Sequence, residues 1–311
     1  MKKFVILPDL TCDLSDEIRN YFGLDDYITG HVNINGKDLV TKLDWTNISR
    51  SDFYKTLANK KNKVSSAAPN IEEYCRAFKK YITEGYDILS MSISSKISGT
   101  YDVSVTARNE IIKEYPDANI YCFDSKRMSG SFGLLVIYAL ELQKDGKTFE
   151  EVIEWLENNK CRVHQMGPID DLTFIARRGQ ISKGKAIMGN LVGIKPMGDC
   201  NTEGYVSVLA KVKGIKKALN LTVKYVKKIV VNPEEQYFII SHSDREQLAL
   251  TLKDELEKNI KCKKVFVSDV YSGCGTNIGP GMIGVYFLGN PVSEDSAYEK
   301  EVLTKIIAEN E

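Results

Sequence analysis

Helix-type and strand-type patterns alternate along the first half of the chain, and this alternation restricts the fold more than any other feature. Strand-like runs at 4–7, 86–94 and 119–123 alternate with helical patterns, among them 98–115 and 130–143. A β-α-β-α order of this kind is typical of a parallel sheet with helices on both faces. We therefore predict an α/β domain for this half of the chain.

The pattern changes near residue 160. Short helical segments are predicted at 170–178 and 183–191, before two strand-like pairs and a long amphipathic helix over 215–229, which together indicate an α+β domain. A chain of 311 residues exceeds the usual length of one domain. The predicted units are an N-terminal α/β domain (1–160), a C-terminal α+β domain (161–290) and an acidic, partly helical tail (291–311).

The composition excludes several classes of protein. Lysine plus arginine equals aspartate plus glutamate at 42 each, which argues against a nucleic-acid binder or a membrane-surface protein. No apolar run approaches the ~18 residues of a transmembrane helix. The seven cysteines are scattered without a C-x-x-C pair, and the three histidines lie far apart. We expect a cytoplasmic protein with reduced thiols, no metal site and no cofactor.

Polar residues follow the predicted strands, where ligands of parallel sheets bind. Three clusters have this placement, at 9–14, 94–101 and 124–130, and a fourth, at 64–70, precedes a predicted helix with an N-terminal cap. Each has a structural interpretation as well, since Ser98, for example, could simply cap its helix. Together, however, hydroxyl groups and helix N-termini at one sheet edge form a suitable site for an anion.

The stretch GCGTNIGPGMIG, residues 273–284, is the most glycine-dense part of the chain. We predict a loop whose backbone turns sharply or is approached closely by another group. It is not a phosphate-binding loop, because no Gly-Lys-Ser/Thr follows the glycines, and the chain has no G-x-S-x-G motif. Nothing else supports a side-chain nucleophile. We therefore predict a binding site without catalytic residues.

The order of these motifs resembles the DegV family of bacterial fatty-acid-binding proteins over residues 2–290. The family patterns D-S-T-x-D-L, T-S-Q-P, S-S-x-L-S-G-T-Y, D-S-K-x-x-S-x-G, L-x-x-L-x-K-G-G-R-I-S, I-K-P-I and H-x-D are similar, in this order, to residues 9–14, 66–69, 94–101, 124–130, 172–182, 194–197 and 242–244. The resemblance implies two domains with a long-chain fatty acid in the cleft between them. In some members the bound lipid is presented to a separate fatty acid kinase.

The resemblance also implies site residues. Ser66 and Ser98 would hold the lipid carboxylate by hydrogen bonds. Four further residues would lie near the head group: Thr11, Ser95, Gln180 and Asn277.

Two of these positions depart from the kinase-associated pattern. Asn277 stands where that pattern has a histidine, and Gln180 stands where it has an arginine, although Arg177 or Arg178 could supply a charge nearby. Asparagine can donate a hydrogen bond but cannot carry a proton, and glutamine removes a bidentate clamp. Both changes are compatible with carboxylate binding and weaken the implication of a kinase partner. The alternative is an enzyme or binder for a small phosphorylated or carboxylated metabolite, which predicts a short polar pocket instead of an apolar tunnel.

Overall fold

The structure is a computed structural model that describes residues 3–176, 179–181 and 193–310. Within these residues the chain forms twelve strands and eleven α-helices. The strands are β1 (Phe4–Pro8), β2 (Gly30–Ile34), β3 (Lys37–Thr41), β4 (Val64–Ala67), β5 (Asp87–Ser92), β6 (Ile120–Asp124), β7 (Val163–Met166), β8 (Ile194–Cys200), β9 (Val206–Lys213), β10 (Tyr237–His242), β11 (Lys264–Asp269) and β12 (Ile283–Leu288). The helices are α1 (Asp16–Phe22), α2 (Arg50–Ala58), α3 (Ile71–Thr83), α4 (Thr100–Glu114), α5 (Ser129–Lys144), α6 (Phe149–Asn159), α7 (Thr173–Ala176), α8 (Ile215–Ile229), α9 (Glu246–Asn259), α10 (Ser272–Ile278) and α11 (Ala297–Ala308). The helix predicted over 183–191 lies outside the described residues, as do Arg177 and Arg178.

The first sheet has the order β1-β5-β6, and all its strands are parallel. Successive side chains of a strand point to opposite faces, so Leu7 and Ile88 face α3 and α4, while Ile6 and Leu89 face a second core with α5 and α6. The predicted parallel sheet with helices on both faces is thereby confirmed.

Helix α5 lies between this sheet and a second one. The second sheet has the order β11-β10-β12-β7, with one parallel and two antiparallel pairings. Its other face is covered by α8, α9 and α11. Twelve consecutive residues of α5, 129–140, are buried, because a helix between two sheets has no side exposed to water. This placement accounts for the apolar composition of the helix.

Two further small sheets complete the fold. One has the order β3-β2-β4 and the other pairs β8 with β9, all antiparallel. The Asn35-Gly36 turn joins β2 to β3 with positive φ at both residues, as the sequence predicts. The predicted capping box at the start of α3 is also present, since Asn70 and Glu73 each accept a hydrogen bond from the other's backbone N–H.

The C-terminal segment packs against the second core. Val302, Leu303 and Ile306 of α11 are buried there beside α8 and α9. The division of the chain at residues 160 and 290 stays a prediction, since one core cluster contains residues from both halves, such as Phe132 and Ile239.

The glycine-dense stretch begins as a helix and not as a loop. Residues 272–278 form α10, and the backbone turns only at Gly279 and Gly281, where φ is +79° and +90°. The loop prediction is therefore wrong for the first part. Glycine is needed there for close packing: a Cβ on Gly275 would lie 2.6 Å from the Tyr54 hydroxyl. Tertiary packing thus outweighs the low helix propensity of glycine, which costs about 1 kcal/mol per residue.

Candidate functional site

A cavity of about 320 Å³ lies where β1 and β5 end, between β4 and α10. Its walls come from segments that are far apart in the sequence, and its volume lies within the range of about 300–1,000 Å³ that small-molecule sites occupy. The structure brings together five of the six predicted site residues around this cavity: Thr11, Ser66, Ser98, Gln180 and Asn277. Their roles in binding stay predictions.

Ser66 and Asn277 form one side of the site. Ser66 lies on β4, paired in register with Val32 of β2, and α10 packs across these strands. The Asn277 amide Nδ2 donates to the Ser66 hydroxyl Oγ at 3.0 Å. The Ser66 oxygen is therefore already an acceptor, and its own proton is left to donate to a ligand.

Ser98 stands on the opposite side, at the start of α4. The helix cap is Gly99 and not Ser98, so the capping interpretation of Ser98 is wrong. Its Oγ instead accepts from the backbone N–H of Thr100 at 3.3 Å and lies 2.8 Å from the Thr100 hydroxyl. Thr100 also lines the cavity. One of these hydroxyl groups donates to the other, so the pair keeps one proton for an acidic head group, beside a helix N-terminus.

Asp9 and Thr11 form the floor beside β1. The buried carboxylate of Asp9 accepts from the backbone N–H and hydroxyl of Thr11, and from the backbone N–H of Ile93 at 2.9 Å. Burial raises the pKa of Asp9 to about 6, although these hydrogen bonds oppose the change. Asp9 lines the cavity as well, so the wall contains a carboxyl group that titrates near neutral pH.

Gln180 and Ser95 are both engaged with protein groups. The Gln180 amide Nε2 donates to the carbonyl oxygen of Ile97 at 3.0 Å, beside the cavity. Ser95 is not among the described residues that line the cavity; its hydroxyl donates to the Asp124 carboxylate at 2.6 Å. Gln180 thus closes the wall by holding the Ile97 backbone, whereas Ser95 ties the loop after β5 to the end of β6.

His31 is a cavity residue that the sequence did not indicate. It lies on β2, opposite Val40 of β3 and Ala67 of β4. Its ring nitrogen Nε2 is 3.0 Å from both carboxylate oxygens of Glu73. No local motif marks this histidine, because only the pairing of β2 with β4 brings it beside the serine-containing segment.

A smaller apolar hollow of about 40 Å³ adjoins the cavity. Met128 and Ile278 line both spaces. The hollow lies mainly among apolar side chains, including Ile175 and Met282. The site therefore has a hydroxyl-rich end and an apolar end, the arrangement that an amphipathic ligand requires.

The chemistry of the wall favours binding. Among the described lining residues there is no lysine or arginine, and Cys274, the one thiol in the wall there, has a pKa raised well above its usual value by burial. A buried thiol of this kind is unreactive. The described residues also contain no group of three or more His, Cys, Asp or Glu side chains placed to hold a metal ion.

Comparisons with known proteins identify the family. The DegV family ("Uncharacterised protein, DegV family") matches residues 3–290. A DegV domain-containing protein of Clostridium perfringens is 35% identical over 295 residues, which cover 93% of this chain and 99% of the relative. The chain therefore belongs to the DegV family.

Solved structures share the fold. A fatty-acid-binding DegV family protein of Streptococcus agalactiae superposes with a TM-score of 0.79 at 25% identity, covering 93% of this chain and 100% of the other. The Fatty Acid Kinase B3 protein of Streptococcus pneumoniae, solved with linoleic acid, gives a TM-score of 0.77 at 18% identity over 93% and 100% of the two chains. In the part of the chain that the structure describes, none of the helices has the length and apolar character needed to span a bilayer.

Proposed function

We propose that this DegV-family protein binds one long-chain fatty acid without transforming it, with the lipid carboxylate among the hydroxyl groups of the cavity. The observation that carries this proposal is the convergence of Ser66, Ser98 and Thr11, from three separate segments, around one cavity that adjoins an apolar hollow. The fatty-acid-binding relatives of the same fold support it.

Ser66 and Ser98 fix the head group in this proposal. The Ser66 oxygen accepts from Asn277 and the Ser98 oxygen accepts from the Thr100 backbone N–H. With Thr100 as the donor in its hydroxyl contact with Ser98, both serines can donate their protons to a carboxylate. The acyl chain then passes Met128 and Ile278 toward the hollow. Burial of the chain provides most of the affinity, at about 0.8 kcal/mol per methylene.

Lipid extraction tests the proposal. The purified protein is extracted with organic solvent, and the extract is analysed by mass spectrometry for long-chain fatty acids. The delipidated protein is then titrated with palmitate. Recovery of acyl chains, together with saturable binding of palmitate, is the expected result. A protein that contains no acyl chain and takes up none after delipidation would overturn it.

The alternative, a small phosphorylated or carboxylated metabolite, is less well supported. A short polar ligand would not use the apolar hollow beside Met128, and the described wall has no cationic clamp for a phosphate group. Competition separates the two: palmitate should displace a bound fluorescent fatty acid, whereas acetate and inorganic phosphate should not.

Presentation of the bound lipid to a fatty acid kinase is a finer proposal, supported by the shared fold of the Streptococcus pneumoniae protein. Incubation with the kinase, ATP and the loaded protein should yield acyl phosphate. If the loaded protein gives no product, the double variant Asn277→His with Gln180→Arg tests whether those two positions are responsible. A cytoplasmic location is proposed as well, because all seven cysteines are free thiols.

A further inference from the structure

We propose that Thr41 is a further residue of the head-group site and donates a hydrogen bond to the lipid carboxylate. The inference rests on the proposed function, since it requires a fatty acid in this cavity. Thr41 is the last residue of β3 and lines the cavity, although no motif of the sequence marks it. Its place at the site therefore comes from the folded chain alone.

The hydroxyl group of Thr41 is buried and unpaired. The residue is 6% exposed, and its Oγ1 has no hydrogen-bond partner within the described chain. A buried hydroxyl without a partner costs free energy, and native structures therefore pair most such groups. Of the described side chains with an unpaired buried polar atom, Thr41 is the one that lines the cavity. A ligand oxygen there supplies the partner that this hydroxyl lacks.

The pairing of the strands places Thr41 on the same face of its sheet as Ser66. Thr41 lies opposite Gly30 of β2, and Ser66 lies opposite Val32. Directly opposed residues of antiparallel strands have their side chains on one face, as do residues two apart along a strand. The Ser66 hydroxyl on this face accepts a hydrogen bond from Asn277 of α10. Thr41 and Ser66 therefore lie on the side of the sheet where α10 packs.

Gly30 allows the Leu10 side chain to pack beside the Thr41 hydroxyl. The φ angle of Gly30 is not in the left-handed region, so the backbone does not require glycine. A Cβ at this position would lie 3.6 Å from Thr41 Oγ1 and 2.6 Å from Cδ2 of Leu10, which also lines the cavity. Leu10 is thus a flexible neighbour of this hydroxyl, and its rotation between staggered rotamers gives a ligand access to Oγ1.

Hydroxyl groups carry most of the recognition of a carboxylate at this site. Among the described lining residues there is no lysine or arginine. A carboxylate accepts about four hydrogen bonds, and Ser66 and Ser98 supply one each, so it can accept a third from Thr41. A water molecule is the competing partner, since Thr41 also lines a separate space of about 20 Å³, enough for one water. The experiment has to distinguish the lipid from the water.

The test compares the wild-type protein with Thr41→Val, which keeps the branched shape but lacks the hydroxyl. Titration of the delipidated full chain with palmitate should show a loss of affinity of about ten- to 150-fold, the size expected for one hydrogen bond to a charged group. Hexadecanol has no charged group, so its affinity should fall less. Thr41→Ser, which keeps a hydroxyl, should recover most of the loss. Thr106→Val, at an exposed position of α4, is the matched control and should bind palmitate as the wild-type protein does.

Stability separates the lipid from the water. An unpaired hydroxyl does not stabilise the delipidated protein, so Thr41→Val should leave its urea midpoint unchanged or raise it. A palmitate affinity equal to that of the wild-type protein would overturn the inference, and a lowered midpoint would then assign the hydroxyl to a water molecule. If the wild-type protein binds no palmitate, the proposed function itself fails. Should Thr41→Val not fold, a crystal structure of the wild-type protein with palmitate decides: Thr41 Oγ1 should lie about 2.5–3.0 Å from a carboxylate oxygen, and a longer distance would overturn the inference.

Discussion

Asn277 donates a hydrogen bond to Ser66 across 3.0 Å, joining two residues that are 211 positions apart in the sequence. This contact connects α10 to β4 at the wall of the cavity. It also determines the direction of the Ser66 hydroxyl, because an oxygen that accepts from Asn277 is left to donate its proton elsewhere.

Ser66→Ala should weaken palmitate binding by about ten- to 150-fold. The variant removes a hydrogen bond to a charged group, a contribution of about 1.5–3 kcal/mol, and titration of the delipidated protein measures the change in affinity. Ser65→Ala is the matched control, since Ser65 is exposed on the same strand and does not line the cavity. If Ser66→Ala and Ser65→Ala bind palmitate with equal affinity, Ser66 does not contact the lipid carboxylate.

Ile278→Phe should reduce binding of long chains more than binding of short ones. Ile278 lines both the cavity and the hollow, and a phenyl ring there should stop the acyl chain at the junction. Palmitate should lose about 0.8 kcal/mol for every methylene that no longer enters the hollow, whereas octanoate should lose little. Ile112→Phe, at an exposed position of α4, is the control. An equal loss of affinity for palmitate and octanoate would contradict a route of the acyl chain past Ile278.

Gly275→Ala should destabilise the protein by about 1–3 kcal/mol, the usual cost of overpacking, although alanine normally favours a helix. The added Cβ would lie 2.6 Å from the Tyr54 hydroxyl, which is itself bonded to the Val270 carbonyl at 2.6 Å and cannot easily move. Gly273→Ala meets the flexible Leu10 side chain at 2.9 Å and should cost less. Urea denaturation measures the free energy of unfolding of both variants. A larger loss for Gly273→Ala than for Gly275→Ala would show that close packing against Tyr54 is not what requires glycine at position 275.

His164 should make the free energy of unfolding depend on pH. Its Nδ1 lies 2.7 Å from the Asp199 carboxylate and its Nε2 lies 2.7 Å from the Asn290 carbonyl. Both partners are acceptors, so both nitrogens are protonated. Burial alone would lower the pKa of His164, but the charge of Asp199 and these hydrogen bonds outweigh it and raise the pKa.

The sign of the effect follows from this raised pKa. The stabilisation is fully present below the pKa of an unfolded histidine, about 6.5, and is lost as pH rises through the higher folded value. Urea denaturation across this range should show wild-type stability falling relative to His164→Gln as pH increases. A constant difference between the two proteins would mean that His164 does not titrate there.

Local signals predicted much of the fold correctly. The capping box of Asn70 and Glu73 marks the start of α3, and the Asn35-Gly36 pair marks the β2–β3 turn, because both depend on hydrogen bonds or φ angles within a few residues. Thr11 and Ser98 lie beside the cavity, in agreement with their positions directly after β1 and β5, whereas Ser66 reaches it from within β4.

Other features depend on residues that are distant in the sequence. Ser95 is turned toward Asp124 by the pairing of β5 with β6, and His31 reaches the cavity only through the pairing of β2 with β4. No residue close in sequence to Ser95 or His31 indicates these positions, because both depend on how distant strands pair.

Periodicity and short motifs were sufficient to predict the alternating α/β order, the family and most of the segments around the cavity, although not the contribution of β2 with His31. Tertiary structure alone decided that residues 272–278 form a helix and that Asn277 faces Ser66. The physical reason is packing: the glycines of α10 gain contacts with Tyr54 and Leu10 that no local propensity contains, and a hydrogen bond across 211 positions exists only once the chain has folded.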